Sequence, residues 1–127
     1  MGIRSILAKP FAAYVASQTK KWSLEPDAAQ QKIFNYLIDQ GKQTVFGKDH
    51  DFGSIKNYDD FRKHVPVRDY EILKPYVERV VHGEADILWK GRPEYFAKTS
   101  GTTSGTKYIP ITKESIPNHI HGARNAL

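Results

Sequence analysis

Hydrophobic residues recur at three- and four-residue intervals over the first 86 residues, which is the spacing of amphipathic helices. The first such stretch contains Pro10, which predicts a kink or an interruption there. The second stretch is well bounded, because Pro26 suits a first helical turn, Asp27 adds negative charge to it and Gly41 is a typical stop. The two apolar stripes are Ile3, Ile6, Leu7, Phe11, Tyr14 and Val15, followed by Ile33, Phe34, Leu37 and Ile38.

A segment rich in glycine and aspartate follows the second helix and predicts a loop over residues 47–54. Within it, residues 49–51 read Asp-His-Asp and could suggest a metal site. The spacing of a complete calcium loop is missing, however, so a solvated loop is the favoured interpretation. A short helix is predicted over residues 58–64, with Asn57 as its cap.

A further helical pattern begins after Asp69, which is well suited to cap it, and ends at Gly83. Pro75 lies inside this pattern and predicts that the helix is split in two. The chain is therefore expected to be helical over residues 1–86.

The pattern then changes to short runs of β-branched and aromatic residues. Strands are predicted over 87–89 and 94–99 around a turn at 91–93, and another over 108–111. Thr112 resembles the cap of a helix that is still running at the last residue. The predicted fold class is α+β: a helical segment over 1–86, a hairpin and its loop within 87–111, and the start of a helix over 112–127.

Composition excludes several classes of chemistry. The 127 residues contain no cysteine, which rules out disulfides, cysteine-ligated zinc and a thiolate nucleophile. The longest apolar run, residues 11–16, is too short to span a membrane. These features predict a cytoplasmic protein that does not enter a membrane.

The formal charge of +5 would suit an anionic partner. The positive charges are dispersed, and Lys20 with Lys21 forms the one basic cluster. A solvated helix end explains that pair better than nucleic-acid binding. His119 and His121 lie two residues apart, which points them in different directions on a helix and argues against a shared metal. For Arg124, a surface salt bridge is preferred over contact with a substrate carboxylate.

Residues 99–107, Thr-Ser-Gly-Thr-Thr-Ser-Gly-Thr-Lys, are the most informative stretch. Hydroxyl groups donate hydrogen bonds, glycines let backbone N–H groups approach a ligand and the lysine adds positive charge, so the composition suits phosphate oxygens. The spacing does not match the P-loop, because three residues separate the glycines and Thr106 precedes Lys107. A flexible hairpin loop without a ligand remains an equal alternative on composition alone.

This stretch resembles the phosphate loop of adenylate-forming enzymes. Its continuation into Tyr108-Ile109-Pro110 is closer to one branch, the auxin-responsive acyl acid amido synthetase family. The preceding segment is also similar to the lead-in of that family, and the likeness covers roughly residues 25–115. The landmarks of that segment are Val65-Pro66-Val67, Tyr70-Glu71, Pro75-Tyr76-Val77, Arg79 and Gly83.

The resemblance implies part of an α/β adenylate-forming fold and a two-step ligase. Its substrates would be ATP with magnesium, a carboxylic acid and an amino acid, with no nucleic-acid partner. The nucleotide contacts that it implies are Thr99, Ser100, Gly101, Thr102, Thr103, Gly105 and Lys107. No metal ligand and no catalytic residue is assigned.

Such enzymes are several times longer than this chain, and the resemblance therefore implies an incomplete N-terminal portion of the large adenylating domain, inactive as a ligase alone. Two alternatives remain open. One is a freestanding nucleotide- or phosphate-binding module, and the other is a small basic interaction or nucleic-acid-binding protein.

Overall fold

The computed structural model describes residues 3–101 and 105–125, which form six helices and a two-stranded antiparallel sheet. Five helices precede the sheet and one follows it, so the predicted α+β class is confirmed. The elements are α1 (Ile3–Ser23), α2 (Pro26–Gly41), α3 (Val45–Asp49), α4 (Tyr58–His64), α5 (Tyr70–Val81), β1 (Tyr95–Gly101), β2 (Gly105–Ile111) and α6 (Ile116–Asn125).

Contacts divide the chain into two compact units, Met1–Phe34 and Asn35–Leu127. In the first unit, α1 runs without a break through Pro10, so the predicted interruption does not occur. Proline costs the helix one backbone hydrogen bond and crowds the carbonyl four residues earlier, but its fixed φ is close to the helical value, so helix formers on both sides can keep the segment helical. None of the helices in the described ranges is long and apolar enough to cross a membrane.

The second unit holds the buried apolar side chains of the described structure. They come from the end of α2, the turn after α3, α5 and the segment that follows α5. These residues are Ile38, Phe52, Ile55, Val77, Val80 and Ile87. The core is therefore built from sequence-distant pieces that meet around α5.

Helix α3 occupies the start of the segment predicted to be a loop, so that prediction is wrong for residues 47–49. Thr44 caps the helix: its hydroxyl accepts a hydrogen bond from the N–H of Gly47 at 2.9 Å and donates to the carbonyl of Gly41 at 2.7 Å. This side chain is 1% exposed, so both bonds are buried. The cap lies outside the predicted loop, and the helix is too short to show an apolar period.

The strand predicted over residues 87–89 does not form. The carbonyl of Asp86 accepts the N–H of Val45 at 2.8 Å, and the carbonyl of Ile87 accepts the N–H of Phe46 at 3.0 Å. These two carbonyls accept hydrogen bonds from the N–H groups that the first turn of α3 leaves without a partner, and they do not form the ladder of a sheet. Ile87 is 2% exposed, which accounts for its apolar character without a strand.

The predicted caps of α4 and α5 are confirmed. Asn57 accepts a hydrogen bond from the N–H of Asp60 at 2.9 Å, and Asp69 accepts one from the N–H of Ile72 at 3.0 Å. Each of these side chains satisfies one of the N–H groups that the first turn of a helix leaves free. The start of α5 is thereby fixed next to Tyr70.

Helix α5 continues through Pro75, so the predicted split is wrong. Its buried residues, Val77 and Val80, lie after the proline and anchor the second half in the core. The helix ends as predicted at Gly83, whose φ of +88° favours glycine. The N–H of Gly83 bonds the carbonyl of Val80, and the N–H of Glu84 bonds that of Arg79, which completes a Schellman motif.

The hairpin strands are longer than predicted toward the loop, because β1 extends to Gly101 and β2 begins at Gly105. Helix α6 begins later than predicted, since Thr112 forms a separate turn with Ser115. In this turn, the N–H of Ser115 donates to the hydroxyl of Thr112 at 3.2 Å. The prediction that the last helix still runs at residue 127 lies outside the described residues.

Candidate functional site

The described residues predicted to bind phosphate all lie at one end of the hairpin. Three of them come from β1 and two from β2, and the antiparallel register brings them together. The cross-strand partners at this end are Thr99 with Lys107, Ser100 with Thr106, and Gly101 with Gly105. Thr102 and Thr103, the other two predicted contacts, lie outside the described residues.

The register also decides which side chains share a face. Residues directly opposite each other in an antiparallel ladder point to the same side of the sheet, so Thr99 and Lys107 lie on one face. Lys98 and Tyr108 form the neighbouring pair and lie on the opposite face. The Lys98 ammonium is 6.0 Å from the centroid of the Tyr108 ring. The two lysines of the hairpin are therefore presented to different sides.

Gly105 has a φ of +73°, in the left-handed region that glycine adopts at little cost. Apart from its two chain neighbours, no atom of the described residues lies within 4 Å of a β-carbon placed at this position. The backbone conformation, and not crowding, therefore requires glycine.

Tyr70, the first residue of α5, contacts two consecutive residues of β2. Its hydroxyl accepts a hydrogen bond from the N–H of Tyr108 at 3.0 Å. Its ring centroid lies 5.3 Å from the Lys107 ammonium, within the range of a cation–π interaction. Hydrophobic spacing gives no signal that Tyr70 belongs to this site, because the contact depends on how α5 packs against β2.

The charge of Lys107 is available to a ligand. Within residues 3–101 and 105–125, the ion pairs that form do not include Lys107. The Lys107 side chain is partly exposed and Thr99 is exposed. A hydroxyl and an ammonium group that forms no ion pair within the described ranges lie on one face of the sheet and can both donate hydrogen bonds to an anion.

The Asp-His-Asp segment over residues 49–51 has structural roles instead. His50 is 5% exposed, stacks on Phe46 with ring centroids 4.1 Å apart and donates from Nδ1 to the Phe46 carbonyl at 2.7 Å. The solvated-loop interpretation is therefore wrong for His50. Asp49 accepts a hydrogen bond from the Tyr76 hydroxyl at 2.8 Å. Burial, and then this bond, raise the pKa of Tyr76 above its ordinary value.

The two histidines of α6, His119 and His121, are both exposed. Among the residues that the structure describes, no three acidic, histidine or cysteine side chains are grouped so as to hold a metal ion. The salt bridge predicted for Arg124 is absent from the ion pairs within the described ranges, and its Nε is buried there without a hydrogen-bond partner.

A helical segment that leads into a hydroxyl-rich hairpin defines an α+β chain with a candidate anion site. The family model for the GH3 family N-terminal domain matches residues 15–127. The chain therefore belongs to the GH3 family, which confirms the resemblance to acyl acid amido synthetases.

Curated relatives agree with this assignment. The chain is 27% identical to indole-3-acetic acid-amido synthetase GH3.4 of Arabidopsis thaliana over 126 residues. This match covers 91% of the chain and 21% of the relative. It is 31% identical to indole-3-acetic acid-amido synthetase GH3.15 of the same plant over 93 residues. This second match covers 72% of the chain and 16% of the relative. A third relative, 4-substituted benzoates-glutamate ligase GH3.12, is 38% identical over 60 residues, 46% of this chain and 10% of the relative. The chain spans about a fifth or less of the length of these relatives.

Proposed function

We propose that this chain is the N-terminal portion of an ATP-dependent acyl acid amido synthetase, and that the end of its hairpin binds ATP phosphates. Family membership supports the ligase class, because the named relatives are amido synthetases or an amino-acid ligase. The observation that carries the phosphate assignment is the pairing of Thr99 with Lys107 on one open face.

The proposed contacts divide by chemistry. The hydroxyls of Thr99, Ser100, Thr102 and Thr103 donate hydrogen bonds to phosphate oxygens. Gly101 and Gly105 leave room for a phosphate beside the backbone. Lys107 supplies positive charge, which an ammonium group delivers as a compact point charge.

The proposed reaction has two steps. A carboxylate oxygen of the acyl acid attacks the α-phosphorus of ATP, an oxygen–phosphorus bond forms, and the bond to the bridging oxygen breaks to release pyrophosphate. The amino-acid nitrogen then attacks the acyl carbon, a carbon–nitrogen bond forms, AMP leaves with the bonding electrons and the nitrogen loses a proton. The hairpin would contribute to the first step by holding and neutralising the departing phosphates.

Magnesium fits this site as a companion of the nucleotide. Hydroxyl oxygens beside phosphates are ligands of the hard type that Mg²⁺ accepts, and the cation would add positive charge at the phosphates. In this proposal it is bound through the nucleotide, and the residues of the chain orient the phosphates around it.

The test is calorimetric titration of the purified chain with MgATP. Lys107→Met should weaken binding by about tenfold or more, because hydrogen bonds to charged groups contribute roughly 1.5–3 kcal/mol and each step of about 1.4 kcal/mol is tenfold. Thr99→Val should weaken it less, since it removes one neutral donor. Lys98→Met is the matched control, because it also removes one positive charge. Lys98 belongs to the next cross-strand pair, which lies on the opposite face of the sheet.

The proposal requires Lys98→Met to bind within about twofold of wild type and adenosine to bind far more weakly than ATP. Equal losses in the two lysine variants would show a nonspecific charge effect and contradict the assignment. For the ligase step, the chain alone is expected to release no pyrophosphate in response to an amino acid, and release would overturn the proposal that more of the enzyme is required.

A further inference from the structure

We infer that Tyr70 is a positioning residue that holds the Lys107 ammonium on the phosphate-facing side of the hairpin. This inference rests on the proposed function, since it gives Lys107 its role. Tyr70 itself is not a ligand of the nucleotide in this inference and acts through the lysine.

The Tyr70 side chain makes two contacts with adjacent residues of β2, Lys107 and Tyr108. The Tyr70 hydroxyl accepts a hydrogen bond of 3.0 Å from the N–H of Tyr108, which belongs to the peptide group directly after Lys107. The ring lies 5.3 Å from the Lys107 ammonium. Tyr70 therefore restrains both the backbone beside Lys107 and the charged end of its side chain.

A lysine needs such a restraint more than other cations do. Its ammonium is carried on a flexible four-carbon stem and loses considerable rotamer freedom when it is fixed. An aromatic ring attracts the ammonium weakly enough that a phosphate can still bind it. The ring thus reduces the entropy lost on binding without competing as a carboxylate would.

The hairpin also needs a fixed support. It contains two strands only in the described structure, and an isolated two-stranded hairpin is at best marginally stable in water. Tyr70 begins α5, which is capped by Asp69 and anchored in the core by Val77 and Val80. The contact from Tyr70 therefore transmits the rigidity of α5 to β2.

Two substitutions separate the ring from the hydroxyl. Tyr70→Phe keeps the ring beneath Lys107 and removes the acceptor for the Tyr108 N–H, whereas Tyr70→Leu removes both. Tyr58→Leu is the control for the same chemical change at an exposed tyrosine of α4. Circular dichroism of each variant establishes that it is folded before its binding is compared.

The position of Lys107 can be read independently of ATP. Reductive methylation with ¹³C-formaldehyde labels lysines and preserves their charge, and the Lys107 signal is identified by its loss in Lys107→Arg. Ring currents should shift that signal upfield in wild type and in Tyr70→Phe, but not in Tyr70→Leu. An unshifted wild-type signal would overturn the inference even if ATP binds.

MgATP titration of the unmethylated proteins provides the second readout. Tyr70→Leu should weaken binding by about two- to fivefold, the range of an exposed cation–π contact. Tyr70→Phe should retain most of the affinity, and Tyr58→Leu should retain all of it. Undiminished affinity in Tyr70→Leu would refute positioning while leaving the proposed function intact, whereas a wild-type chain that binds no ATP would refute the proposed function itself.

Discussion

Gly47 lies so close to the carbonyl oxygen of Gly41 that a side chain at residue 47 would overlap it. Thr44 closes the same turn by bonding to both residues. A β-carbon at Gly41 would in turn lie 2.9 Å from the ring of Phe52. The end of α2, the start of α3 and the core therefore meet at a point where backbone packs against backbone.

Gly47→Ala should destabilise the chain by about 2 kcal/mol or more, because overpacking displaces backbone here and not a flexible side chain. Urea unfolding followed by circular dichroism measures the change. Gly122→Ala is the control, since a β-carbon there meets nothing within 4 Å among the residues that the structure describes, and the residue lies within α6. It should leave stability unchanged or raise it by about 0.5–1 kcal/mol. Similar losses in both variants would exclude the close contact as the cause.

Ile87→Ala tests whether the segment after α5 belongs to the core. Ile87 is 2% exposed, and removing its side chain should cost about 2–5 kcal/mol in the free energy of unfolding. Ile72→Ala makes the same chemical change at a residue that is 53% exposed, and we expect it to change stability by less than about 0.5 kcal/mol. A mild effect at Ile87 would mean that the segment is peripheral.

Local signals predicted much of this fold because they act over a few residues. Asn57, Asp69 and Gly83 are caps whose chemistry is set by their own helix ends, and all three act as predicted. The strand predicted over 87–89 is wrong because Ile87 is buried in the core, and the carbonyls of Asp86 and Ile87 accept hydrogen bonds from the start of α3, more than 40 residues away in sequence. Apolar composition cannot distinguish these two uses of a short run.

In the candidate site, too, local residue types could be predicted from the sequence and the tertiary arrangement could not. Residue types alone pointed to Thr99 and Lys107, but the strand register is needed to place them on one face and Lys98 on the other. Tyr70 joins the site through tertiary packing, which leaves no periodic trace in the sequence. The nucleotide contacts themselves stay predictions.

Stability should fall in acid partly through the loss of an ion pair at the end of α5. Hydrogen bonds from Arg79, at 3.0 and 2.8 Å, hold the pKa of Glu84 below its ordinary value of 4.5. A lowered pKa in the folded state contributes stability above pH 4.5 that disappears as pH falls through the folded value.

Glu84→Gln should therefore differ most from wild type near neutral pH, and the difference should shrink as pH falls below 4.5 and through the lowered pKa of the folded state. Urea midpoints measured across this range test the expectation. Glu78→Gln is the control, because the Glu78 carboxylate lies 4.0 Å from Lys74 and makes a looser pair. A difference that is constant with pH would show that Glu84 contributes through packing and not through its charge.

A double-mutant cycle tests whether Thr99 and Lys107 act on the same phosphate group. Their shared face and cross-strand pairing place both donors beside one bound anion, so the loss of MgATP affinity in Thr99→Val with Lys107→Met should be smaller than the sum of the single losses. We expect a coupling energy of about 0.5–1 kcal/mol, measured by titration calorimetry. The cycle of Thr99→Val with Lys98→Met should be additive, because Lys98 lies on the opposite face. Coupling of equal size in both cycles would mean that the face of the hairpin does not determine binding.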